Sequence, residues 1–141
     1  MTPPDGFRHH AEVRVRFAET DAQGVVYHSN FLIYCEVARV EYFRAMHGDS
    51  PWRNDRGYET VLAHAACDYR SPARFDERLL IWTRLAKVGT SSLTFEYKIC
   101  KPDGTLVCDA NTVQVAVDKQ TRKPTPFPPE LAARLRAFET S

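Results

Sequence analysis

The sequence predicts an α+β fold, with one long helix wrapped by a five-stranded, mainly antiparallel sheet. Three observations carry that prediction. The elements run in the order strand, helix, then four strands. The helix is apolar on most sides: of the 17 residues from Asn30 to Met46, 12 are apolar, which implies that other structure encloses it. Lys101-Pro102-Asp103-Gly104 is a strong hairpin signal, so the strands on either side of it run antiparallel.

Residues 1–10 read as a flexible lead-in and 11–141 as a single domain, since a chain of 141 residues has no room for a second core. From Ala11 to Ala18, Val13, Val15 and Phe17 alternate with Arg14 and Arg16, the pattern of a half-buried strand. Glu19 to His28 breaks the alternation and contains Gly24, so it reads as a loop. Ser29 or Asn30 can cap the helix, which runs to about Met46 and stops at His47-Gly48. Its charges, Glu36, Arg39, Glu41 and Arg44, read as paired or solvated. Ser50-Pro51 opens a short helical turn that Gly57 closes. Strands are predicted at about Val61–Tyr69, Arg78–Val88, Ser91–Cys100 and Thr105–Val117, with a tight reversal at Gly89-Thr90. In the third of these Leu93, Phe95, Tyr97 and Ile99 alternate with Thr94, Glu96 and Lys98. A proline-rich stretch precedes a short helix over Glu130–Phe138. One helix cannot cover five strands, so the uncovered apolar face and edge predict a homodimer.

Composition excludes several function classes. Nineteen Lys and Arg against 18 Asp and Glu leave a formal net charge of +1, without the basic excess of a general nucleic-acid or anionic-membrane surface. No apolar run approaches the ~20 residues that span a bilayer. The lead-in MTPPDGFRHH does not resemble a signal peptide, which points to the cytoplasm. Cys35, Cys67, Cys100 and Cys108 form no Cys-x-x-Cys pair and read as free thiols, although Cys100 and Cys108 flank a hairpin and could approach each other. No spacing of the histidines fits a zinc site, and no Gly-x-Ser-x-Gly elbow is present. Trp52 and Trp82 read as core or interface residues.

The most informative stretch is Glu19-Thr-Asp-Ala-Gln-Gly-Val-Val-Tyr-His-Ser-Asn-Phe31. It puts a carboxylate, Asp21, a few residues before a buried helix, and Gly24 allows the turn between them. Amides at the helix start, around Tyr27 to Asn30, make an electropositive spot suited to an oxyanion. A carboxylate beside such a spot is what cleavage of an activated acyl group requires. The same Asp-x-x-Gly spacing also occurs in ordinary surface turns, where the carboxylate only binds nearby amides.

This stretch from Thr20 to Phe31, followed by Glu36 and Arg39, resembles the signature of 4-hydroxybenzoyl-CoA-type thioesterases, a group that includes the Tol–Pal-associated acyl-CoA thioesterases. The resemblance continues through Asp68-Tyr69-Arg70-Ser71-Pro72-Ala73-Arg74-Phe75-Asp76-Glu77, through Gly89 to Tyr97, and to Thr121-Arg122-Lys123-Pro124. It implies a hotdog fold assembled as a homodimer or homotetramer, active sites at the dimer interface, an acyl-CoA substrate, and no metal or other cofactor. It further implies that Asp21 attacks the thioester carbonyl or activates water, and that the backbone amide of His28 polarises the carbonyl oxygen. Gly24, Tyr27 and Asn30 fall on the substrate side of that site, with Asn30 steadying the loop or capping the helix. The His28 imidazole has two readings, assistance to water or leaving group, or a polar pocket wall; some aromatic-acyl members carry tyrosine there. Lys87, Thr90, Ser91, Arg122 and Lys123 fall where the family contacts the nucleotide, and each basic residue also reads as ordinary surface charge. Arg74 has a partner reading in Asp76 or Glu77.

Substrate cues diverge. Ser50-Pro51-Trp52-Arg53 resembles the aromatic-acyl members, whereas Tyr27-His28 and Ser71 to Asp76 resemble the Tol–Pal-associated ones. An enoyl-thioester hydratase lacks its paired acid and base here. The alternative from another class is a non-catalytic acyl-CoA- or partner-binding module on the same fold.

Overall fold

The computed structural model describes residues 2–48 and 57–140. The turn predicted at Ser50-Pro51, Trp52 and Arg53 lie outside the described residues. Strand β1 spans His9–Arg14, helix α1 Asn30–His47, β2 Tyr58–Tyr69, β3 Arg78–Val88, β4 Ser92–Cys100, β5 Leu106–Asp118 and helix α2 Pro129–Thr140. All neighbours pair antiparallel in one sheet of order β1-β3-β4-β5-β2, which leaves β1 and β2 as the edges. Among the described residues no helix is long and apolar enough to cross a membrane.

Alternation decides which side of the sheet meets α1. Leu93, Phe95, Tyr97 and Ile99 of β4 are buried, and their cross-strand partners Gln114, Thr112, Ala110 and Cys108 of β5 share that face. Against it α1 sets Phe31, Tyr34, Cys35, Ala38 and Tyr42, spaced three or four residues apart along one side of the helix. Arg39 reaches across this layer and donates to the Tyr97 hydroxyl at 3.0 Å, which in turn bonds Thr112 at 2.8 Å. The helix ends where Gly48 adopts φ +78° and returns its N–H to the Arg44 carbonyl.

The packing bears on three local expectations. The lead-in is anchored: β1 begins at His9, Phe7 is buried on the opposite sheet face with Leu80, Trp82 and Cys100, and His9 stacks on Phe138 with 3.9 Å between ring centroids. Burying one phenylalanine contributes about 1.5–3 kcal/mol, which offsets the backbone ordering of only one or two residues, so the pairing of β1 with β3 carries the rest. All four cysteines are free, as the sequence reading has them; Cys100 and Cys108 sit on neighbouring strands but on opposite faces, Cys100 in that outer cluster and Cys108 toward α1. Finally, the enclosure of α1 is one-sided within a single chain. Ile33, Val37 and, on the edge strand β2, Leu62 remain exposed, at 50%, 37% and 55%. The apolar positions that suggested enclosure are thus only partly covered within one chain.

Candidate active site

A short hairpin leads into α1. After a 3-10 turn at Phe17–Glu19, Thr20 pairs with Val26, and the Asp21 N–H donates to the Val25 carbonyl at 2.9 Å. The reversal between them is closed by the Gly24 N–H on the Asp21 carbonyl, and Gly24 holds φ +79°, a conformation costly for a residue with a side chain. Asp21 is half-buried, and its Oδ1 accepts the Gln23 N–H at 2.8 Å. The carboxylate thus stabilises its own turn with one oxygen.

Glu19 holds the base of this hairpin. Its carbonyl accepts the Tyr27 N–H at 2.9 Å and the Asn30 Nδ2 at 2.8 Å. Asn30 therefore steadies the loop rather than capping the helix, and Ser29 makes no side-chain cap either. The buried Glu19 carboxylate accepts the Arg16 backbone amide at 2.8 Å, the Arg16 guanidinium at 2.8 and 3.0 Å, and the Tyr34 hydroxyl at 2.9 Å. Burial pushes its carboxyl up, but these bonds and the Arg16 charge together hold it below the usual carboxylate range.

At the helix start, Asn30 donates its amide to the Tyr27 carbonyl, and neither His28 nor Ser29 donates its amide to a backbone acceptor among the described residues. Ser29 is the N-cap residue and His28 precedes it, so both amides lie at the electropositive end of the helix with open bonding capacity. The His28 carbonyl, in contrast, is held at 3.2 Å by the Tyr69 hydroxyl from the end of β2. Burial, followed by the neighbouring Cys67, pushes the Tyr69 phenol up to about 12, so it remains a donor through the neutral range. Tyr27, His28, Phe31 and Tyr69 make a partly exposed aromatic wall, with 4.3 Å between the Tyr27 and His28 rings and 5.7 Å between Phe31 and Tyr69. A carboxylate, amides with open bonding capacity and an apolar wall are the parts that acyl transfer needs.

The residues expected to meet the nucleotide lie elsewhere. Thr90 and Ser91 form the β3–β4 turn, where their carbonyls accept the amides of Phe127 and Ala116. Arg122 and Lys123 sit in the loop after β5, which Asp118 organises by accepting the amides of Gln120 and Thr121. Lys87 is exposed at a bulge in β3. Arg122 is already paired with Glu59 at 2.6 Å. Arg122 and Lys123 follow the Asp118 end of β5, Thr90 and Ser91 lie beside Ala116, and Lys87 is level with Val113 in mid-strand, whereas Tyr69 and His28 lie at the Cys108 end. Ten residues of strand separate the ends, about 30 Å. A single chain brings Asp21, Gly24, Tyr27, His28 and Asn30 together; it does not bring Lys87, Thr90, Ser91, Arg122 and Lys123 to them.

Sequence reading assigned no role to Glu19, Tyr34 or Tyr69. Glu19 opens the informative stretch, but nothing in the spacing signals that Tyr34 will meet it. Arg74 pairs with neither expected acid through its side chain. Asp76 takes Arg14 and Glu77 takes Lys101, while only the Arg74 backbone amide reaches Glu77; its guanidinium lies beside Gly24, and its backbone pairs with Val25. No group of three or more His, Cys, Asp or Glu among the described residues is arranged to hold a metal ion.

Comparison with known proteins agrees with this architecture. The description "Thioesterase-like superfamily" matches residues 15–135. The chain is 35% identical to the acyl-CoA thioesterase YbgC of Haemophilus influenzae, over 86% of this chain and 89% of that one. It is 29% identical to a 1,4-dihydroxy-2-naphthoyl-CoA hydrolase of Rippkaea orientalis, over 90% and 94%. Among solved structures, a 1,4-dihydroxy-2-naphthoyl-CoA thioesterase from Synechocystis superposes with a TM-score of 0.83 at 26% identity, covering 91% of this chain and 95% of that one. With a family match over most of its length and an antiparallel sheet wrapped on one helix, the chain belongs to the thioesterase-like superfamily and has the hotdog fold.

Proposed function

We propose that this chain is a cytoplasmic acyl-CoA thioesterase, hydrolysing an aromatic or a short- to medium-chain aliphatic acyl-CoA to the free acid and CoA. The observation that carries the reading is the half-buried Asp21 carboxylate, held in a tight turn next to the helix start where the His28 amide has no backbone acceptor. The thioester carbonyl oxygen binds that amide, and its developing negative charge is stabilised there by the helix dipole. An oxygen of Asp21 either attacks the carbonyl carbon, expelling the CoA thiolate and leaving a mixed anhydride for water to cleave, or takes a proton from the water that attacks. Tyr27, Phe31 and Tyr69 shelter the acyl group.

A second copy of the chain completes the site. The two predicted halves lie at opposite ends of one sheet, so an antiparallel pairing across the exposed Ile33, Val37 and Leu62 sets one copy's Lys87, Thr90, Ser91, Arg122 and Lys123 against the other's Asp21. There they would meet the phosphates of CoA.

The test is thioester hydrolysis, followed by loss of thioester absorbance, across a panel of aromatic and aliphatic acyl-CoAs. Wild type should turn over, and Asp21→Asn should lower kcat by about 10²–10⁴-fold. Binding without turnover in the wild type would make the chain a non-catalytic acyl-CoA-binding module. Turnover untouched by the substitution would remove Asp21 from the chemistry.

A further inference from the structure

We infer that Glu19 is a positioning residue: it fixes the Asp21 hairpin and the start of α1 to one another through a buried hydrogen-bond hub. The inference rests on the roles proposed above for Asp21 and His28, and it concerns groups that touch neither substrate nor reacting atoms.

Glu19 is unusual in what it joins. A carboxylate almost never becomes this buried unless its bonds are met, and here both oxygens are engaged. Its side chain is tied to Tyr34, one turn inside α1 and itself 2% exposed, so it registers against the rigid part of the helix rather than the frayed end. Its carbonyl is tied to Tyr27 and Asn30, the residues flanking His28 and Ser29. Two residues later the chain reaches Asp21. The same residue therefore sets both the carboxylate and the open amides relative to one fixed point. Arg16 closes the hub from the solvent side, where its own side chain is 78% exposed. Such an anchor has a kinetic signature, because a small misplacement of a reacting group lowers the chemical step far more than it lowers binding.

The experiment uses the full chain, one aromatic and one aliphatic acyl-CoA, and the variants Glu19→Gln, Tyr34→Phe and Asp21→Asn, each checked for folding by circular dichroism and thermal unfolding. Glu19→Gln keeps the shape but loses the charge and an acceptor; kcat should fall about 10- to 100-fold with KM nearly unchanged. Tyr34→Phe removes one hydroxyl and should lower kcat by about 3- to 10-fold; it carries the test if Glu19→Gln does not fold. At high enzyme concentration, adding Glu19→Gln to Asp21→Asn should cause a smaller fractional loss than Glu19→Gln causes in the wild type, since only the placing of the amides is then left to lose. Wild-type kcat in the folded variants overturns the inference. So does an equal fractional loss with and without Asp21, which is what a purely structural role produces. Full activity of Asp21→Asn alone would instead sink the parent reading, so the two failures are distinguishable.

Discussion

The two ends of β5 are built in different ways. At the Cys108 end, the neighbouring loop is held by buried and half-buried bonds, Glu19 to Arg16 and Tyr34 and Asn30 to Glu19, with an exposed bond from Tyr69 to His28 beside them. At the Asp118 end, the cations lie on the surface, and the Arg122–Glu59 pair is about half exposed on both sides, at 54% and 49%. Exposed pairs of that kind contribute about 0–1 kcal/mol and are screened by salt. The contrast follows the chemistry proposed for each end. Bond cleavage demands fixed geometry, so its groups are anchored from below. Holding a flexible, charged nucleotide needs only cations that can move to meet it. Ile33 and Val37 on α1 and Leu62 on β2 are exposed, and in the pairing proposed above a second copy covering them would bring an anchored end and a mobile end together.

The largest effect should come from breaking that union. Ile33→Asp puts a charge on the stripe without touching either end. It should yield a folded monomer by sedimentation analysis, with activity reduced about 100-fold or more, because burying an unpaired charge at an interface core is strongly unfavourable. A fully active monomer would show that one chain suffices and that the separation of the ends has no catalytic meaning. A smaller effect should follow from loosening the anchored end. Tyr69→Phe deletes the bond to the His28 carbonyl, worth about 1 kcal/mol net, so kcat should fall about 3- to 10-fold while the oligomer persists. The smallest should come from the mobile end. The amides of Thr121 and then Gln120 hold the Asp118 carboxyl below its usual range. Because the folded value lies below the unfolded one, the contribution to stability is present above the ordinary Asp value of about 3.9 and fades as pH falls through the folded value. The melting difference between wild type and Asp118→Asn should therefore be constant from neutral pH down to about pH 5 and shrink below about pH 4, with kcat unchanged throughout.

Much of the architecture was legible locally. β3 occupies Arg78–Val88 as its pattern predicts, and α1 ends at His47-Gly48 because only a residue tolerant of positive φ closes it cheaply. The hairpin at Lys101–Gly104 forms, with the Lys101 N–H on the Thr105 carbonyl. Asp21 and Gly24 announced a turn, and they make one. What escaped was whatever depends on a distant partner. Phe7 sits in a segment with no periodicity, and its burial is decided by Trp82 and Leu80, more than seventy residues away. Glu19 looked like any loop carboxylate until Tyr34 met it. Arg74, placed by its neighbours beside two acids, gives them no side-chain bond.

The sequence by itself determined the order and kind of the elements, the turn that carries Asp21 and the resemblance that names the chemistry. Those are properties of short segments, where side-chain alternation, helix stops and turn residues act within a few positions of one another. Only the tertiary structure decided that Glu19 is the fixed point of the hairpin, that Tyr69 holds the His28 carbonyl, and that the expected nucleotide contacts lie at the far end of the same strand. Burial and long-range hydrogen bonds depend on which segments the fold stacks together, and no spacing along the chain encodes a distance across a sheet.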